Sequence, residues 1–254
     1  MTIEKDFRMR RCAFALLLLV AFSVLCVLQF STTRADTSGS TGTPISCKQG
    51  GPGCADSTLN LFEWTHSPGI TTLRRKITPG NTVVVAYDGI CANMPIAISG
   101  GADTYTTLAY ECDKNNQQGV GLAYVCRSAG GYNEVKGTFG QTNYGTGMVL
   151  ELAGTNPSCP DGKTTAAGGS AGATEISVGP IMPAAPGDFF VAVAINPFSM
   201  PMASTWPGAI FLGTGQYGNA RYLDLLSTNN SAQRATLTAT NLSSWGAVLG
   251  AFKP

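Results

Sequence analysis

The chain has 254 residues, only 12% of them charged, with 16 Lys and Arg against 15 Asp and Glu. Five of the basic residues and two of the acidic ones fall in the first 35, so the remainder is near neutral. No basic stripe is left to bind nucleic acid, and no like-charge run forms an interaction tail.

The N-terminus carries Lys5, Arg8, Arg10 and Arg11, followed by an uncharged run, CAFALLLLVAFSVLCVLQF, from Cys12 to Phe30. A basic flank before an apolar run is an export signature, and it predicts an extracytoplasmic location. As a helix the run spans about 28 Å, close to the ~30 Å hydrocarbon core and long for a signal-peptide core. Thr33-Arg34-Ala35 offers small residues for a signal peptidase. Residues 1–35 therefore read as a signal peptide or an N-terminal membrane anchor. Contact with a membrane is expected only through residues 12–30, if they are retained. Leu25 before Cys26 argues against lipoprotein processing. Residues 36–57, rich in Ser, Thr and Gly, predict a flexible stalk.

From residue 58 to 254 short Thr-, Val- and Tyr-rich runs alternate with Gly, Pro, Asn and Asp, and no run shows a sustained 3.6-residue period. The first set of predicted strands covers 59–64, 81–87, 95–99, 103–112, 120–127, 133–140 and 147–154. Residues 155–174, small and polar, read as a connecting loop. A second set follows at 175–180, 188–195, 209–214, 220–227, 234–240 and 244–252. Its order repeats the first. ITPGNTVVVAY at 77–87 matches AAPGDFFVAVA at 184–194, with Pro-Gly in the same place. Pro-Gly turns the chain just before a strand, where Pro would interrupt the ladder. Two degenerate half-repeats, about 58–156 and 173–254, are thus expected. The predicted fold is all-β: a two-sheet antiparallel β-sandwich, jelly-roll-like, after an N-terminal hydrophobic helix. Two separate half-sandwiches are the alternative. The runs VVVA and FFVAVA predict strands buried on both faces.

Pro79-Gly80, Asp103 to Thr106, Tyr124, Glu151, Gly154, Pro186 to Asp188 and Phe252 recur in an order that resembles a diffuse group of exported bacterial β-sandwich proteins. That group has no assigned function. The resemblance covers most of residues 77–254 and implies a fold, with no active site.

Of the eight cysteines, Cys12 and Cys26 lie in the leader. The other six, Cys47, Cys54, Cys91, Cys112, Cys126 and Cys159, form an even set in an exported domain, which favours disulfides. With no C-x2-C pair and His66 as the only histidine, a zinc site is not expected. Cys47 and Cys54 are close in sequence and predict one bond. In an antiparallel meander, strands 81–91 and 103–112 run the same way, which predicts Cys91–Cys112. Continuing the count leaves Cys126 and Cys159 together at the opposite end.

Candidate chemistry is sparse. Gly168 to Gly172 fits G-x-S-x-G around Ser170, but no apolar strand precedes it and no helix pattern follows, and the only histidine lies upstream. His66 has no evident nucleophile partner. The strand-associated acids are Glu63, Asp88, Asp103, Glu111, Glu134, Glu151 and Asp224. Glu151 stands out within the apolar MVLELAG. A glycosidase would need two of them across one cleft, roughly 5–10 Å apart. Calcium would need converging oxygens, to which Asp103 or Asp188 would contribute, but no EF-hand-type loop occurs. Trp206 and Tyr217, and Tyr132 and Tyr144, are the aromatics placed to form a sugar-stacking platform. The residues thus point to a non-catalytic surface or secreted binding or structural module with no cofactor. Its partner is an unidentified surface ligand, with a glycan as candidate. A carbohydrate-binding sandwich, or a glycoside hydrolase with an unrecognised carboxylate pair, are the alternatives.

Overall fold

A computed structural model describes residues 60–254, apart from 65–68, 74–75, 139–144, 153–156, 170–171, 185, 198–201, 215–219, 227–229, 243 and 254. The leader, the stalk and the expected Cys47–Cys54 bond lie outside the described residues.

The described residues form seventeen strands and one 3₁₀ turn, with no α-helix. The first nine strands are β1 (Asn60–Trp64), β2 (Gly69–Thr72), β3 (Thr82–Ile90), β4 (Ala97–Gly100), β5 (Asp103–Thr104), β6 (Thr106–Cys112), β7 (Gln118–Val125), β8 (Glu134–Thr138) and β9 (Gly145–Leu152). The 3₁₀ turn, Cys91–Asn93, follows β3. The remaining strands are β10 (Pro160–Gly168), β11 (Ala173–Ile181), β12 (Phe189–Ile195), β13 (Met202–Ser204), β14 (Ile210–Thr214), β15 (Ala220–Leu226), β16 (Gln233–Leu242) and β17 (Trp245–Phe252).

These strands build four antiparallel sheets rather than the two expected. Two five-stranded sheets, ordered β1-β9-β3-β7-β6 and β10-β17-β12-β15-β14, form the middle. A four-stranded sheet, β2-β8-β4-β5, and a three-stranded sheet, β11-β16-β13, cover their outer faces. Three cores separate the layers. Val83, Val85, Tyr87 and Val149 meet Ile98 and Val135 on one side. Phe190, Ala192, Leu249 and Ala251 meet Ile176 and Leu237 on the other. Between the central sheets, Val84, Leu122 and Leu150 meet Val191, Val193 and Val248. The continuous apolar runs explain the stack. A strand such as VVVA or FFVAVA must be covered on both faces, so one sheet opposite it does not suffice. β3 and β12, the two Pro-Gly-led strands, sit at the centre of their sheets and are buried almost throughout.

The duplication is visible in the pairing. β1, β9, β3, β7 and β6 hold the same places as β10, β17, β12, β15 and β14, and β2, β8, β4 as β11, β16, β13. Register agrees as well: Val84 pairs with Tyr124 and Leu150, and its counterpart Val191 pairs with Asp224 and Gly250. Equivalent faces of the two halves meet, but off a two-fold arrangement: β6 and β7 of the first half lie against β17, and among the described residues no comparable contact joins their counterparts β14 and β15 to β9.

Three strands escape the sequence pattern. β10 lies in the stretch read as a loop. It is an edge strand with Thr, Ala and Lys alternating between half-buried and exposed positions, so it carries no apolar run. β2 and β13 are edge strands of four and three residues.

Candidate functional site

Polar side chains gather at the loop end of the first half, where the chain enters β3. Glu151, on β9, is 2% exposed and turned toward the outer sheet. It accepts a hydrogen bond from the Thr78 N–H (2.8 Å) and another from Asn81 Nδ2 (2.6 Å). It therefore closes the Pro79-Gly80 turn, in which Gly80 adopts φ 89°. Glu151 is no solvated strand residue, because both sides of its sheet are covered at this place.

Beside this turn, Asp103 gathers a second set of donors. Its carboxylate accepts from Ser128 Oγ, from Tyr132 Oη (2.9 Å) and from the Ala129 N–H (3.0 Å). Tyr105 and Tyr132 join through their hydroxyls at 2.8 Å, and Ser128 Oγ accepts from the Gly130 N–H at 3.0 Å. Burial raises the Tyr132 phenol to about 12 and the Tyr105 phenol further. The Tyr132 ring rests on Gly100 and Gly101, where a Cβ would lie 2.4 Å and 2.6 Å from ring atoms. The hydroxyls are committed to a carboxylate or to one another, and Ser128 faces an acceptor with no imidazole beside it among the described residues. The arrangement binds the loops around 78–81, 101–103 and 128–132 into one block. Among the described residues, no group of three or more His, Cys, Asp or Glu is placed to hold a metal.

A second cluster lies between the central sheets. Asp88 on β3 accepts hydrogen bonds from Thr146 Oγ1 on β9 and from Tyr222 Oη on β15. All three are buried. Burial raises the Asp88 carboxyl to about 6 against the pull of both hydroxyls, and it raises the Tyr222 phenol as well. A fourth acid, Asp113, is 1% exposed and closes the β6–β7 turn. It accepts from the N–H groups of Asn115, Gln117 and Gln118, and from Ser244 Oγ of the second half. Asp161 pairs with Lys253 Nζ at 2.9 Å and accepts from the Ala184 N–H, which Asp188 also receives. Desolvation works to raise Asp161, but the bonds from Lys253 and Ala184 outweigh it and leave it lowered.

No protein family, curated protein or solved structure matches this chain. The candidate residues are therefore judged by where they stand. Trp206 is 4% exposed, packs edge-on to Phe190 and donates Nε1 to Gln233 Oε1 at 3.3 Å. Tyr132 is 9% exposed. Neither presents a ring face to a ligand, because each fills a core between a central and an outer sheet. That corrects their placement on a sugar platform. Among the described residues, the exposed rings are instead Tyr110 (45%) on β6 and Phe211 (53%) on β14. Phe211 stacks beneath the Arg221 guanidinium, 5.8 Å from the ring centroid. Tyr144, Tyr217, His66 and Ser170 lie outside the described residues, as do the side chains of Glu63 and Asp224. GGSAG joins β10 to β11, strand to strand, so the helix that a G-x-S-x-G elbow requires is missing there.

The cystines are Cys91–Cys112 and Cys126–Cys159, with Cα separations of 5.6 and 5.7 Å. Both are the pairs expected, but the meander behind them is not. β4 crosses to the outer sheet, and β3 and β6 run the same way because β7 lies antiparallel between them. Cys126–Cys159 joins the end of β7 to the chain just before β10, and so ties one half to the other. Sequence reasoning missed Ser128 and Thr146, since an isolated hydroxyl residue carries no pattern of its own.

Proposed function

We propose that this chain is an exported, non-catalytic module, secreted or displayed at a cell surface, that binds or scaffolds through two covalently joined halves. In each half the first and last strands pair, and the remaining strands wrap between two sheets. That order is of the jelly-roll type. The observation that carries the reading is the Cys126–Cys159 cystine between the halves, with Cys91–Cys112 as a second staple. Such bonds persist in oxidising compartments. The basic, apolar leader points the same way. The buried carboxylates support a scaffold role, since Glu151, Asp103 and Asp113 each hold loop N–H groups. Expression of the tagged chain in an exporting host, with protease shaving and thiol counting on intact cells, tests the proposal. Protease-accessible protein with the four cysteines oxidised is expected. Protein confined to the cytoplasm with free thiols would overturn it.

A carbohydrate-binding role is favoured by one observation, the exposed rings of Tyr110 and Phe211. Aromatic faces of this kind stack on apolar faces of ligands. A glycan array with the wild-type chain and the Tyr110→Ala and Phe211→Ala variants tests it. Binding lost in either variant supports this reading, and no binding by the wild type removes it.

A further inference from the structure

The duplication gives Asp88 a register counterpart. Its counterpart in the second half is Ile195, and the counterparts of Thr146 and Tyr222 are Gly246 and Leu122. Ile195 and Leu122 lie in the core between the central sheets, fully buried. At matching register positions the second half is therefore apolar, while the first half places a buried carboxyl against two hydroxyls. Asp88 thus stands where its register counterpart is isoleucine, and it is the hydrogen bonds from Thr146 and Tyr222 that accommodate it between the halves.

We propose that the Asp88–Thr146–Tyr222 cluster is an acid-closed latch between the two halves: neutral Asp88 holds β3 and β9 tightly against β15, and its ionisation loosens that contact.

The surroundings of Asp88 give its charge little help. Within its sheet, Thr146 stands beside it on β9 and Val120 on β7. Tyr222 reaches it from β15. The neighbouring Arg221 turns away to donate to the Met202 and Ala220 carbonyls. β12 presents Val193 and Ile195 to the same core. Further along the row, Glu63 on β1 holds the register position opposite Thr146. Glu111 on β6 stands opposite Val120 and accepts from the Cys112 N–H. No cation enters this set, so an ionised Asp88 is held by two hydroxyls in an apolar interface. The Cys126–Cys159 tether lies beyond the Val83–Val125 end of the β3–β7 pair, whereas Asp88 sits toward the other end. Loosening at the latch thus leaves the halves covalently joined.

The sign of the effect is opposite to that of an ordinary surface carboxylate. Asp88 keeps its proton in the folded chain at a pH where the unfolded chain has lost it. Stability is fully present below the unfolded value of 3.8 and falls as pH rises through about 6.

The experiment uses the full chain, purified in mild detergent. Urea unfolding and hydrogen exchange by mass spectrometry are measured at about pH 5 and about pH 7.5, for the wild type and Asp88→Asn. A folded-to-unfolded ratio about tenfold larger at the lower pH is expected for the wild type, and little or no such gain for the variant. After correction for intrinsic rates, the acid gain in protection is expected to be larger in β9 and β15 than in β11 and β16. A wild type without an acid gain, or a variant that keeps it, would overturn the latch. If Asp88→Asn does not fold, the wild-type exchange map decides: a larger gain in the inter-half strands supports the latch, and an equal gain in the outer sheet overturns it.

Discussion

Leu108 and Leu212 occupy the same bulge in the two halves of the molecule. The register slips between Thr107 and Ala109 on β6 and between Phe211 and Gly213 on β14, and the residue left over is a leucine each time. A bulge bends an edge strand and re-aims one side chain. Here both leucines turn into the core between the central sheets, Leu108 buried and Leu212 partly so.

Truncating the two leucines should weaken the same core by unequal amounts. Leu108→Ala is expected to cost about 2–5 kcal/mol, as for a buried leucine, and Leu212→Ala clearly less because it is already part-exposed. Urea midpoints of the two variants measure this. Equal costs would mean that Leu212 packs as deeply as Leu108, and no cost at Leu108 would mean that its bulge does not turn the side chain into the core.

Close approach of the halves depends on Gly246. A Cβ there would stand 3.0 Å from the Cys112 carbonyl carbon and oxygen and 3.1 Å from the Asp113 nitrogen, all of them backbone atoms. Backbone cannot rotate aside as a side chain can. Gly246→Val should therefore destabilise by at least the ~1–3 kcal/mol typical of overpacking. Thermal unfolding of that variant against Gly131→Val is the comparison. Gly131 meets nothing within 4 Å but has φ 79°, so its cost is one of backbone strain alone. A Gly246→Val variant as stable as the wild type would show that the sheets are not in contact there.

What the sequence makes legible is what repeats. Pro-Gly before VVVAY and before FFVAVA, at an offset of 107, marks two equivalent central strands, and β3 and β12 are those strands. The number of layers is not legible, because an apolar run says that both faces are covered and not by what. Glu151 misleads for the same reason. Alternation normally separates an inner from an outer face, but Val149 and Glu151 face one core while Leu150 and Leu152 face another. Cys91–Cys112 is reached through strand direction alone, which survives although β4 leaves the sheet. The Asp88 cluster is invisible in the chain, since Thr146 and Tyr222 lie 58 and 134 residues away.

Glu151 should act through its acceptor oxygens and not through its charge alone. Glu151→Leu leaves the Thr78 N–H and the Asn81 amide without their partner in a part-buried place, at no more than about 1–3 kcal/mol for each group orphaned. Glu151→Gln keeps one acceptor oxygen and should lose less. Amide exchange at Thr78 and the urea midpoint read the two variants. If Gln and Leu prove equally costly, the turn is not held in the way the geometry implies.

The Cys126–Cys159 bond should matter more to stability than its partner, because it closes the longer loop. Its cysteines are 33 residues apart, against 21 for Cys91–Cys112. On the chain-entropy account both bonds restrict the unfolded chain by about 3–4 kcal/mol, with the longer loop ahead by a few tenths. That difference alone is small. The position adds to it: Cys126–Cys159 spans the two halves, whereas both Cys91 and Cys112 belong to the first. Replacing Cys126 and Cys159 together by Ser should lower the overall midpoint. It should also separate the unfolding of the two halves into resolvable steps, since the remaining inter-half contact is non-covalent. Replacing Cys91 and Cys112 should lower the midpoint and leave a single transition. Differential scanning calorimetry of the two double variants distinguishes the cases. A single transition after loss of Cys126–Cys159 would show that the apolar core around Val84, Val191 and Val248 joins the halves without the tether.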